Sequence, residues 1–150
     1  MQYQDDLIEN ISKDLERFFG VSGKILKPSP LTVAEMIKHV PAGKLITTDI
    51  LRQELAFDFE VEITDPYETK RALLVISREP NINVPYWRVI KNGGELIVGL
   101  PGGFERQAEL LTAEGFTIDT NRKTPKVKDY RDSLIHFHTE FQHKSPFAYK

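Results

Sequence analysis

Asp65-Pro66-Tyr67-Glu68 is the firmest structural instruction in this sequence. An aspartate accepts hydrogen bonds from the free amides of a first helical turn, and a proline next to it has no amide to leave unpaired. Glu68, three residues after the cap, is spaced to reach back in a capping box. The helix so begun runs to about Arg78 and projects Lys70 and Arg71 near its N-terminal end. Similar punctuation cuts up the chain before it. Ser29-Pro30 announces a helix carrying Val33, Met36, Ile37 and Val40, which Pro41-Ala42-Gly43 stops. Thr47 and Thr48 offer an N-cap for a helix over 49–57 that turns Ile50, Leu51, Leu55 and Ala56 inward. A chain divided in this way builds a mostly α domain, and two short helices followed by a third are compatible with a helix-turn-helix.

The flanks are read from periodicity. Leu7, Ile8, Ile11, Leu15, Phe18 and Phe19 recur at helical spacing before Gly20 and predict one amphipathic helix over 5–19. A loop over 61–64 precedes Asp65. After Pro85 the pattern is that of strands at 86–91 and 95–98 around an Asn92-Gly93-Gly94 turn, a small β-hairpin or wing. Gly99, Pro101, Gly102 and Gly103 form a loop before a helix over 104–114 that Gly115 closes, and 116–119 reads as a short strand. Beyond the basic loop 121–128, Tyr130, Leu134, Ile135, Phe137 and Phe141 predict a last amphipathic helix over 129–142. There is no internal repeat, heptad pattern or low-complexity tract.

Composition narrows the function classes. At 150 residues with 40% hydrophobic side chains, the chain suits one domain with a sizeable core. No run of about 18 apolar residues could span a bilayer, and the first residues lack the basic and apolar regions of a signal peptide, so a cytoplasmic, membrane-free protein is expected. The absence of cysteine excludes disulfides, thiolate zinc sites and a thiol nucleophile. His136 and His138 are spaced i, i+2 and face different sides of a helix, so neither they nor His143 argue for a metal. No Gly-Lys-Ser/Thr phosphate loop and no Gly-x-Ser-x-Gly elbow occurs, and no cofactor is expected. A net charge of −2 gives no overall attraction to nucleic acid. It can still conceal a basic face, because Asp5, Asp6, Glu9, Asp14 and Glu16 crowd the start while Lys70, Arg71, Arg78, Arg88 and Lys91 occupy the centre.

Val84-Pro85-Tyr86-Trp87-Arg88-Val89-Ile90 resembles the Pro-Cys-His-Arg-Val signature of the O6-alkylguanine-DNA alkyltransferases. Val40-Pro41-Ala42-Gly43-Lys44-Leu45-Ile46-Thr47 is similar to that family's Pro-x-Gly-x-Val-x-Thr/Ser lead into its helix-turn-helix, and Arg71-Ala72-Leu73 to the Arg-Ala-Val of its recognition helix. Gly102-Gly103, Leu110-Leu111 and Glu114-Gly115 match further landmarks. The resemblance covers about 31–117. It implies a single domain over 1–150, mostly α with a small β-hairpin: a winged helix-turn-helix core at 31–117, an N-terminal helical extension at 1–30 and a C-terminal extension at 118–150.

In that family the Cys thiolate takes the alkyl group and the adjacent His deprotonates it. Here those places hold Tyr86 and Trp87, and a phenol of pKa about 10 is a poor stand-in for a thiol near 8.5. Alkyl transfer is therefore not expected, nor is a new enzyme built on Tyr86 and Glu114, since no base is placed beside the phenol. The Cys-free alkyltransferase-like proteins bind O6-alkylguanine and flag it for repair, but they keep the His. The resemblance thus implies a non-enzymatic protein that binds duplex DNA, at modified or distorted bases, with a repair protein as a further partner. Arg71 is the expected intruding residue, with Lys70 and Arg78 on phosphates. Thr48, Tyr86, Trp87, Arg88, Val89, Leu100 and Glu114 are the expected remnant pocket. Arg88 is expected to tie the loop to its surroundings. Glu114 either keeps the place of the residue that orients the family's His or is simply an acidic helix end.

Several residues depart from the family pattern. Thr48 and Leu100 stand where it has hydroxyl-bearing tyrosines, so reading of a purine edge is weakened. Thr69, Lys70, Leu74 and Val75 are bulkier than the small residues of the family's recognition helix, and Leu74 is either core or an apolar wedge between base steps. These departures keep open a second reading, a protein-interaction or small-ligand module on the same scaffold.

Overall fold

A computed structural model describes residues 4–135 of the chain. Its N-terminal segment is not the single helix that the periodicity suggested. Leu7–Asn10 is a strand, β1, and only Lys13–Phe19 is helical, α1. Ser12 explains the break, because its hydroxyl accepts from Leu15 N and restarts the chain as a helix that Gly20 ends at φ 74°. α1 buries no residue, and Phe18 is 78% exposed. β1 lies antiparallel to β2 (Lys24–Lys27), with Leu7 opposite Lys27 and Asn10 opposite Lys24. β2 in turn runs parallel to β4 (Ile63–Thr64), within the segment expected as a loop. Asp6 pins this sheet to the next helix by accepting from Ser29 N at 2.6 Å and Thr32 Oγ1 at 2.8 Å.

The central helices follow their capping residues closely. α2 (Pro30–Ile37) starts after Ser29, whose hydroxyl accepts from Thr32 N, and α3 (Thr48–Asp58) starts after Thr47, which accepts from Ile50 N. α3 is preceded by the short strand β3 (Ile46–Thr47). α4 (Pro66–Ser77) starts after Asp65, which accepts from Tyr67 N and Glu68 N. The reciprocal half of the expected capping box is absent, because Asp65 N already donates to Leu26 O at 2.8 Å. Glu68 is thereby free to pair along its own helix, with Arg71. These helices enclose a core in which Leu26, Val33, Ile37, Val40, Leu51, Leu55, Leu73 and Ile76 are buried.

The hairpin expected over 86–98 does not form. Tyr86–Arg88 is a turn of 3-10 helix, and the two residues of β5 (Val89–Ile90) pair parallel with β3, placing Ile46 opposite Val89 and Thr47 opposite Ile90. Lys91 N still donates to Glu95 O at 2.8 Å, but Glu95 bridges to Lys126 and Leu96 N donates to Pro125 O. The apolar residues after the turn therefore face a partner from the far end of the chain. At this turn a side chain on Gly94, held at φ 92°, would run into the Tyr130 ring. α5 (Gly103–Ala113) packs over a second cluster formed by Leu45, Ile90, Leu96, Leu111, Val127 and Tyr130. The antiparallel pair β6 (Ile118–Asp119) and β7 (Lys126–Val127) completes this half.

The C-terminal helix expected from 129 is also replaced. Asp129 takes φ 53°, Tyr130–Ser133 is a 3-10 turn, and Leu45 N donates to Ser133 O while Ile135 N donates to Leu45 O. Backbone pairing to Leu45 stops helix propagation here; Tyr130 is buried from the 3-10 turn and Ile135 from the extended residues after it. The remainder of that expected helix, with His136, Phe137, His138, Phe141 and His143, lies outside the described residues.

Candidate nucleic-acid interface and the loop beside it

The twelve residues of α4 sort onto two faces. Thr69, Ala72, Leu73 and Ile76 are buried. Tyr67, Lys70, Arg71, Leu74, Val75 and Arg78 follow i, i+3, i+4 spacing along the other side and line an open groove. Thr69, counted among the bulky residues of this helix, faces inward and hydrogen-bonds Asp65 O through its hydroxyl at 2.7 Å. Leu74 is half-buried, packing against the first core cluster while also lining the groove.

Among the cations of this stripe, Arg71 reaches outward with its side chain 58% exposed, paired with Glu68 at 3.5 Å. Lys70 is exposed beside it. Arg78 is committed to the fold: its guanidinium donates to Gly99 O and, at 3.3 Å, to Leu74 O, tying the end of α4 to the loop before α5. Tyr67 at the other end is 75% exposed.

The 86–88 turn is braced by Glu114, at the C-terminal end of α5. Trp87 Nε1 donates to Glu114 Oε2 at 2.7 Å, Arg88 Nε donates to both carboxylate oxygens at 2.9 and 3.0 Å, and Gly43 N donates to Oε1 at 3.1 Å. Arg88 Nη1 also donates to Val40 O at 2.7 Å. The Glu114 carboxylate thus joins the Pro41-Ala42-Gly43 turn to the 86–88 turn. It holds the Trp87 indole by direct contact. Burial pushes the Glu114 carboxyl up, but hydrogen bonds from Arg88, Trp87 and Gly43 together with the Arg88 charge outweigh it and hold the group below the ordinary Glu range.

Tyr86 meets Trp87 edge-on, ring centroids 5.3 Å apart, with Tyr86 against the first core cluster and Trp87 against the second. Val89 and Leu100 are buried within the first cluster. Thr48 is half-buried, and its hydroxyl donates to Asn92 Oδ1. Of the seven residues expected around the remnant pocket, Trp87, Arg88 and Glu114 form one hydrogen-bonded unit, whereas Val89 and Leu100 are core. Among the described residues, no group of three or more His, Asp or Glu side chains could hold a metal ion, and no helix is long and apolar enough to cross a membrane.

Three residues to which the sequence assigned no site role stand at these surfaces. Gln107 is 1% exposed; its amide donates to Trp87 O and Val89 O at 3.0 and 2.9 Å and accepts from Ile97 N at 2.9 Å. Asn92 Oδ1 accepts from Asp49 N at 2.9 Å, adding a second cap to α3 from outside the helix. Neither has a signal in sequence, because every partner is distant. Tyr67 had one, since it stands three and four residues before Lys70 and Arg71.

This arrangement of helices, short sheets and a braced loop is similar in fold to two solved structures. The particular structures it resembles are S. pombe Atl1 in complex with damaged DNA containing O6-carboxymethylguanine and S. pombe ATL in complex with DNA. Each is 18% identical to this chain with a TM-score of 0.56, over 71% of this chain and 94% of the other. At that identity the likeness is one of fold. No family model and no curated protein matches the sequence.

Proposed function

We propose that this chain is a non-enzymatic, alkyltransferase-like DNA-binding protein that recognises modified or distorted duplex DNA inside the cell and hands it to a repair partner. The observation that carries the reading is the outward stripe of α4, where exposed Lys70 and Arg71 stand beside Tyr67 on a helix whose other face is locked into the core. Two solved complexes in which proteins of this fold hold DNA support it. Arg71 is the residue that enters the base stack, and Lys70 neutralises phosphate. Arg78 contributes charge from a fixed position. The braced 86–88 turn flanks this surface without chemistry of its own, because the chain has no thiol.

Titration of unmodified and O6-methylguanine duplexes at two salt concentrations tests the proposal. Affinity should fall as salt rises, since each phosphate contact releases counterions, and the methylated duplex should bind more tightly. Absence of binding to either duplex overturns it. The second reading, a protein-interaction module on this scaffold, draws on the exposed apolar surface of Tyr67 and Val75 and would then stand in its place.

A further inference from the structure

Tyr67 is the feature of α4 that charge does not explain. Its ring is 75% exposed, yet its backbone is among the best anchored: its amide donates to Asp65 Oδ1 at 2.9 Å, Pro66 precedes it within the helix, and Asp65 N is held by Leu26 O. A large ring left exposed to water on a fixed backbone gains little for the fold. Lys70 and Arg71 lie one turn along the same stripe and line the same groove. An aromatic ring beside cations on one rigid element is the arrangement that grips unstacked nucleic acid, the ring against a base face and the cations on the phosphates beside it. An intact duplex offers no free base face. A base left unpaired at a bulge does.

Hydrogen-bond readout of a purine edge has little to work with nearby. Thr48 spends its hydroxyl on Asn92, Leu100 is buried and has no polar group, and Trp87 and Arg88 are both engaged with Glu114. Accordingly, and resting on the DNA-binding reading above, we propose that Tyr67 stacks on a base left unpaired or unstacked in duplex DNA. The protein then discriminates by a discontinuity in the helix rather than by the chemistry of one modified base.

Fluorescence anisotropy decides this, with three labelled duplexes of one sequence: intact, carrying a single-base bulge, and carrying O6-methylguanine. Wild type should bind the bulged duplex more tightly than the other two. Tyr67→Ala should lower affinity for the bulge by about 5- to 150-fold, the usual worth of one base–aromatic stack, and leave the intact duplex within about twofold. Tyr67→Phe should keep the preference, and all variants should melt as wild type does. If wild type binds DNA but Tyr67→Ala weakens every duplex equally or none, the stacking inference is wrong while DNA binding stands. If wild type binds none of the three, the DNA-binding reading fails and takes the inference with it.

Discussion

Trp87 donates its indole N–H to the carboxylate of Glu114 at 2.7 Å. The same carboxylate receives Arg88 and Gly43 N, so one side chain at the end of α5 sets the geometry of the 86–88 turn. Both members of the Arg88–Glu114 pair are only 14% exposed, which makes the pair sensitive to loss of either partner.

Glu114→Ala should therefore cost about 3 kcal/mol of stability, because it strands a buried guanidinium and leaves the indole N–H without its partner. The effect should depend on pH. The folded carboxyl is held below its ordinary value of 4.5, so the stabilisation is complete above that pH and disappears as pH falls from there through the depressed folded value. Urea unfolding of wild type and Glu114→Gln checks this: the difference between them should hold above the ordinary carboxyl value of 4.5 and shrink as pH falls below it. A constant difference would contradict it.

Gln107→Leu should destabilise by about 2–4 kcal/mol, since the shorter apolar side chain takes the acceptor from Ile97 N and the amide donor from the carbonyls of Trp87 and Val89 in a buried place. Gln107→Glu should be at least as damaging, because it sets a carboxylate oxygen against two carbonyls. Near-wild-type denaturation midpoints in both variants would show that water replaces the amide.

Arg71→Ala should weaken DNA binding tenfold or more yet change folding stability by less than about 0.5 kcal/mol, as befits a cation that is itself exposed and held only by a 3.5 Å i, i+3 contact. Glu68→Gln should strengthen binding by releasing Arg71 and removing a negative charge from the groove. Lys70→Ala should act through the salt dependence, reducing its slope by about one. Melting and affinity measured on the same Arg71→Ala sample separate the two functional readings, because unchanged affinity with a lowered melting point removes the DNA-binding case.

Incubation with O6-methylguanine duplex should leave the protein's mass unchanged, since neither thiol nor imidazole stands at the turn. Tyr86→Cys with Trp87→His should not reach efficient transfer either. Thr48 and Leu100 supply no hydroxyl toward a base, and Glu114 stays held by Arg88 and Gly43. A methyl adduct on Tyr86 in the wild type, detected by mass spectrometry, would refute the first statement.

The starts of the central helices are legible in the sequence, and the reason is distance along the chain. Caps and breakers act within about four residues, so Ser29-Pro30, Thr47 and Asp65-Pro66 placed α2, α3 and α4, and Gly115 the end of α5. The same locality explains the misses. Residues 5–19 and 129–135 carry apolar spacing that fits a helix, but backbone partners at 24–27 drew β1 into a sheet, and pairing to Leu45 ended the C-terminal stretch after one 3-10 turn. At 86–98, β5 found β3 instead of the residues after its own turn.

The candidate site divides along the same line. Sequence alone determined that no thiol chemistry is available, that α4 starts at Asp65, and that Lys70 and Arg71 share a stripe of it, since these are matters of residue type and helical spacing. Only the tertiary structure decided that Glu114 holds Trp87 and Arg88, that Arg78 is tied to Gly99, that Leu74 is half-buried, and that Tyr67 stands exposed at the head of the groove. The first two depend on which distant backbone or side chain satisfies a polar group and the last two on which elements pack beside α4, and no local pattern encodes either choice.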